Sequence, residues 1–123
     1  MSDSPITKFV VLFHKMPAES ERNDHWDLML QDDERLLTWE LSEYPAAGST
    51  LDATRLPDHR LKYLEYQGPI SGNRGEVIQV LKGRLEWTTR DDGLMAARLH
   101  DCETIRHVEI RRIDNSRFTV IFS

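Results

Sequence analysis

The chain has 123 residues, 39% of them hydrophobic, enough for one core and too few for two. Sixteen basic against twenty-one acidic side chains leave a formal charge of −5, which excludes a protein that coats nucleic acid through a broad basic face and leaves room for a local contact to a strand end. The single cysteine, Cys102, can form no internal disulfide, and the acidic, Ser-rich start reads as neither a signal peptide nor a membrane span; the expectation is one soluble, cytoplasmic domain over 1–123, with residues 1–7 flexible.

In chain order, short segments bounded by turn residues read as strands at 8–14, 25–31, 34–41, 60–66, 76–81, 84–89, 94–99, 104–113 and 117–122. Tight turns are expected at Asp32-Asp33, Lys82-Gly83, Asp91-Asp92-Gly93 and Asp114-Asn115-Ser116, so the strands they join run antiparallel. Helical turns are expected only at 17–22 and at 49–55, the latter capped by Ser49 or Thr50. Nine short strands in so small a domain would leave long edges in an open sheet, and a small antiparallel β-barrel with one or two short helical turns is the expected fold.

The segment His25-Trp26-Asp27-Leu28-Met29-Leu30 carries chemistry on a strand pattern. Successive side chains alternate, so Trp26, Leu28 and Leu30 share a packing face while His25 and Asp27 share the other. His14 ends the first strand and His59 opens the 60–66 segment, with Tyr63 four residues on. Two neutral imidazoles and one carboxylate suit a borderline divalent ion such as Zn, Mn or Fe. By itself His-x-Asp also fits a plain polar strand face. His59 and Tyr63 need a bend or bulge to meet. His100 and His107 read as solvent-facing or strand-end residues, and Arg106, Arg111 and Arg112 as a solvated strand face.

FVVLFH, HWDLML, LLTWEL and DHRLKYLEYQGPISGNRG, in that order over roughly 8–90, resemble the 3'-phosphoesterase domain of bacterial DNA ligase D. That family is a small β-barrel that binds manganese and trims 3' ends of DNA. The resemblance implies that His14, His25 and Asp27 are metal ligands, with Mn as the ion and Zn as the alternative. It also implies that His59 and Tyr63 face the phosphate in catalytic roles, and that the partners are a DNA 3' end or other phosphoester and a separate ligase or polymerase. Trp39 matches the family's core tryptophan, and Gly68, Gly72 and Gly75 fall in its Gly-rich connection, where they serve turn geometry.

Two of the departures, at Met29 and Glu43, make the site less cationic. Met29 stands where the family has a phosphate-gripping arginine, Glu43 where it has a lysine, and Gln67-Gly68 where it has Glu-Gly. Ten residues separate His14 from His25, more than in the family, and form a polar loop at the mouth of the site. Arg55, Arg74 or Arg98 could supply the lost cation, Arg55 as a phosphate-binding residue. The expected function is metal-dependent 3'-end processing in DNA repair; the alternative is a metal-holding barrel without catalysis that binds DNA ends or a partner. An iron-oxygenase facial triad fits poorly, because the chain is small and offers no suitable C-terminal arginine.

Overall fold

The computed structural model describes residues 7–123 and consists almost entirely of antiparallel strands. They are β1 (Thr7–Lys15), β2 (His25–Asp32), β3 (Arg35–Leu41), β4 (Thr50–Arg60), β5 (Gly68–Pro69), β6 (Glu76–Arg90), β7 (Leu94–His100), β8 (His107–Arg112) and β9 (Arg117–Phe122). The sheet order β1-β2-β3-β4-β9-β8-β7-β6, with β1 pairing back onto β6, closes an eight-stranded barrel, and β5 adds a short pairing outside the ring. The expected barrel is present. The flexible stretch expected at 1–7 lies outside the described residues except for Thr7, which already pairs with Leu85. Among the described residues no helix is long and apolar enough to cross a membrane.

Closure depends on β6, whose 15 residues pair with β1 through their first part and with β7 through their last. The tight turn expected at Lys82-Gly83 is therefore absent, and 76–81 and 84–89 belong to one strand. Gly83 is required for a different reason: a Cβ there would sit 2.1 Å from the His100 carbonyl oxygen and 2.8 Å from the Phe9 ring, so only glycine lets the three strands converge.

Two further expectations are corrected. The segment 49–55 is not helical but enters β4, where Leu51 and Ala53 are buried, alternate with exposed Asp52 and Thr54, and pair with β9. The segment 60–66 is not a strand but carries the one helical turn among the described residues, a 3-10 helix at Leu61–Leu64. Its apolar residues Leu61, Tyr63 and Leu64 recur at helical rather than alternating spacing. Residues 17–22 form a turn closed by Ser20 N–H donating to the Pro17 carbonyl. Strand β8 starts at His107, later than expected, because Ile105 is buried in the connection before it.

The barrel has two apolar clusters, and this positions the site. Phe9, Val11, Leu28, Leu30, Trp39 and Phe122 fill the interior. The alternate positions on the same strands, Val10, Leu12, Met29 and Leu36, point outward, yet they are also buried, because the 3-10 helix and the segment behind it cover them with Leu61, Tyr63, Tyr66 and Ile70. Burial on both faces explains why β1 and β2 read as almost unbroken apolar runs. The outward face of β1 and β2 continues past this cover to His14, His25 and Asp27.

Candidate metal centre

His14 lies directly opposite His25 in the β1–β2 ladder, near the end of one strand and at the start of the other. Asp27 stands two residues along on the same outward face, as strand alternation requires. The His14 Nδ1 atom is 3.5 Å from Asp27 Oδ2, and His25 Nε2 is 3.4 Å from Asp27 Oδ1. One ligand atom from each of the three lies within 4.8 Å of the other two. Two donors that share an ion at about 2.1 Å each are roughly 3.0–3.5 Å apart at tetrahedral or octahedral angles. The two nitrogen–oxygen separations, each to a different Asp27 oxygen, fall within that range and are too long for good hydrogen bonds, while the full set spans up to 4.8 Å.

The outer nitrogens of both rings are fixed by backbone. His14 Nε2 donates to the Arg74 carbonyl at 2.7 Å, and His25 Nδ1 donates to the Asn23 carbonyl at 3.0 Å. A carbonyl oxygen can only accept, so each of these nitrogens carries the hydrogen. In the neutral rings the remaining nitrogens are lone pairs facing a carboxylate. Asp27 Oδ1 is buried and has no hydrogen-bond partner. Three electron-pair donors that converge without a proton between them need a positive charge, supplied either by protonated imidazole or by a cation.

Electrostatics of the metal-free site follow from this. Burial opposes charge on His25, but Asp27, the Asn23 carbonyl and Glu40 outweigh it and raise its pKa above the ordinary histidine value. Burial likewise opposes ionisation of Asp27, and the His14 and His25 imidazoles outweigh it and lower its pKa.

These three residues line a cleft of about 480 Å³ that also takes in His59 and Tyr63. The bend needed to bring that pair together is real. His59 is the penultimate residue of β4, and the 3-10 helix that follows folds Tyr63 back so that the two rings meet edge to face, centroids 5.4 Å apart. His59 Nδ1 donates to the Pro57 carbonyl at 2.9 Å, leaving Nε2 as the free nitrogen. Leu56, Ile70 and Val77 contribute apolar walls.

The expected cations divide. Arg55 does not line the cleft: its guanidinium lies over the Trp39 ring at 4.8 Å and donates to Asp58 at 2.8 Å. Trp39 and Arg55 are cross-strand partners, so Arg55 follows Trp39 toward the barrel interior and away from the outward-facing histidines. Arg98 is on β7, beside Glu86. Arg74 does line the cleft, with its guanidinium held by Ser71. Met29 is buried in the outer apolar cluster, where it belongs to the floor of the cleft. Glu43 is exposed and away from the cleft, as are the solvent-facing Arg106, Arg111 and Arg112.

Arg22 and Glu40 are among the residues at the site that escaped sequence reasoning. Arg22, on the connection between β1 and β2, lines the cleft and bonds Glu40. Glu40 pairs with Asp27 across β2 and β3, and its Oε1 is 3.6 Å from His25 Nε2. The turn between β2 and β3 holds the signal that would have found it. Pairing Asp32 with Arg35 and counting back along both strands brings residue 40 opposite residue 27. No family model matches the sequence, and a search of curated proteins finds no significant similarity.

Proposed function

We propose that His14, His25 and Asp27 hold a divalent transition metal, Mn with Zn as the alternative, and that the cleft around them hydrolyses a phosphoester, a 3'-phosphate or 3'-ribonucleotide on DNA. The observation that carries the metal reading is the buried Asp27 carboxylate, its unpartnered Oδ1 facing His25 and its Oδ2 facing His14, with the outer nitrogen of each ring committed to a carbonyl. Carbonyls that fix the tautomer and aim of a histidine are the usual outer support of a metal ligand. The preference for a DNA 3' end comes from the resemblance carried by the four segments around these residues. A role in repair in the cytoplasm, alongside a separate ligase or polymerase, belongs to the same proposal.

When bound, such an ion supplies a Lewis acid for a phosphate oxygen and a more acidic water. The remaining work falls to the chain's own groups. His59, its ring oriented by the Pro57 carbonyl, uses Nε2 to hold a phosphate oxygen or to deliver a proton to the leaving 3' oxygen. Tyr63 donates a hydrogen bond from the same wall, and Arg22 and Arg74 bring positive charge to a chain that is otherwise acidic. A phosphatase assay with Mn on a 3'-phosphate primer-template, run beside an active enzyme of this type, tests the reading directly. Release of phosphate that is lost in His25→Ala supports it.

One observation favours a second reading, a metal-holding barrel that binds DNA ends or a partner without catalysis. Met29 packs into the outer apolar cluster, so the floor of the cleft offers no donor to a phosphate at that position. Mn uptake with no phosphate release from any 3' end would select it.

A further inference from the structure

Glu40 stands beside His25 at the edge of the three-residue cluster. Its Oε1 is 3.6 Å from His25 Nε2, while the same nitrogen is 3.4 Å from Asp27 Oδ1. His25 Nδ1 is committed to the Asn23 carbonyl, so the Nε2 lone pair faces two carboxylates at once. That separation is close to the spacing expected of two donors on one ion at about 2.1 Å each. The ladder holds Glu40 there, since it is the cross-strand partner of Asp27 and shares its outward face.

The oxygen that faces His25 is also the one that Arg22 bonds. Arg22 projects from the connection between β1 and β2, whose ends are joined by Met16 N–H donating to Asp24 at 2.7 Å and whose middle is held by Asn73 donating to Glu19 at 2.6 Å. The Arg22 side chain is 55% exposed against 28% for Glu40, so the cation can turn to solvent while the carboxylate stays beside the centre. A metal ion and a guanidinium therefore compete for a single oxygen.

We propose that Glu40 is a fourth protein ligand of the metal centre and that Arg22 regulates the centre by holding Glu40 Oε1 in competition with the ion. The inference rests on the three-residue centre described above and extends it to two histidines and two carboxylates. It also gives Arg22 a consequence: an anion entering the cleft that attracts the guanidinium releases the carboxylate to the ion.

The test is titration of the full chain with Mn2+, followed by electron paramagnetic resonance of the free ion, for wild type, Glu40→Gln, Glu40→Asp, Arg22→Ala and Asp27→Asn. Thermal unfolding of each variant confirms that it folds. Arg22→Ala is expected to bind Mn2+ roughly two- to fivefold more tightly, the scale of one partly exposed ion pair. Glu40→Gln is expected to bind roughly tenfold more weakly. Glu40→Asp separates ligation from charge, because it keeps the charge on a side chain too short to reach. Weak binding like that of Glu40→Gln supports coordination, whereas binding like wild type overturns it. Wild-type affinity in all three Glu40 and Arg22 variants, with binding lost in Asp27→Asn, defeats this inference alone. No uptake by wild type defeats the three-residue centre and this inference with it.

Discussion

His14 and His25 face each other across the β1–β2 ladder with ring centroids 4.7 Å apart, and each ring is turned toward Asp27 by a backbone carbonyl on its far side. The two carbonyls come from different places, Arg74 in the connection before β6 and Asn23 just before β2. The cluster thus draws on three parts of the chain, although His14, His25 and Asp27 sit on only two strands.

Proton binding and the proposed metal binding should oppose each other at this site. In the metal-free chain His25 has a raised pKa, so its contribution to stability is complete below the ordinary histidine value and is lost as pH rises through the higher folded value. Asp27 has a lowered pKa, so its contribution is present above the ordinary carboxylate value and is lost as pH falls through the lower folded one. Stability of the metal-free protein should therefore decline from neutral toward alkaline pH, while affinity for Mn2+ increases over the same range as protons leave the ligands. Melting temperatures against pH, measured with chelator and with Mn2+, should diverge as pH rises. Parallel curves would show that the ion does not displace the His25 proton.

His59 and Tyr63 share the cleft but not the ligand cluster. His59→Ala should leave Mn2+ affinity nearly unchanged and lower turnover by about 10²- to 10⁴-fold, the usual scale for a positioned acid or base. Tyr63→Phe, which removes one hydrogen bond and keeps the ring against His59, should cost on the order of tenfold. Equal loss of metal in His59→Ala and His25→Ala would contradict this division of labour.

Gly75 couples the fold to the centre. A Cβ there would sit 2.1 Å from the Lys15 carbonyl oxygen, and its φ of +86° is one that other residues rarely adopt. The backbone just before it supplies the Arg74 carbonyl that orients His14. Gly75→Ala should cost about 1–3 kcal/mol of stability and weaken metal binding as well, since the orienting carbonyl shifts. Chemical denaturation and a Mn2+ titration on the same sample check both effects; a stable variant with weakened binding would place the strain in the connection alone.

The barrel was legible because most of its strands announce themselves by short apolar runs between Asp-rich turns. At Asp91 and Asp114 the side chains accept from the backbone N–H groups that follow, as those turns demand. The misreadings have local causes. Gly83 looks like a turn residue, yet it serves a close approach to the His100 carbonyl that depends on strands distant in sequence. In β4 the capping pattern of Ser49 and Thr50 outweighed the alternation of Leu51 and Ala53 with Asp52 and Thr54, and the run 61–64 covers too few residues for its helical spacing to stand out.

At the site, the shared face of His25 and Asp27 was legible from strand alternation, whereas His14 joined them only through the resemblance, and the β1–β2 ladder is what sets it opposite His25. Arg55 was misjudged because a position near His59 in sequence lies on the opposite face of the same strand region, over Trp39. Arg22 could not be read at all, since its place depends on how a ten-residue connection folds back over the cleft.

The central claim is that three side chains on two strands trap one divalent ion. The most direct measurement is metal content and Mn2+ affinity of wild type beside His14→Ala, His25→Ala and Asp27→Asn, by elemental analysis and titration calorimetry. One ion per chain in wild type, with binding lost in each of the three variants and melting temperature raised by Mn2+ only in wild type, is the expected result. Wild-type protein that takes up no Mn2+ or Zn2+ at neutral pH, or that binds either ion equally well without Asp27, would contradict it.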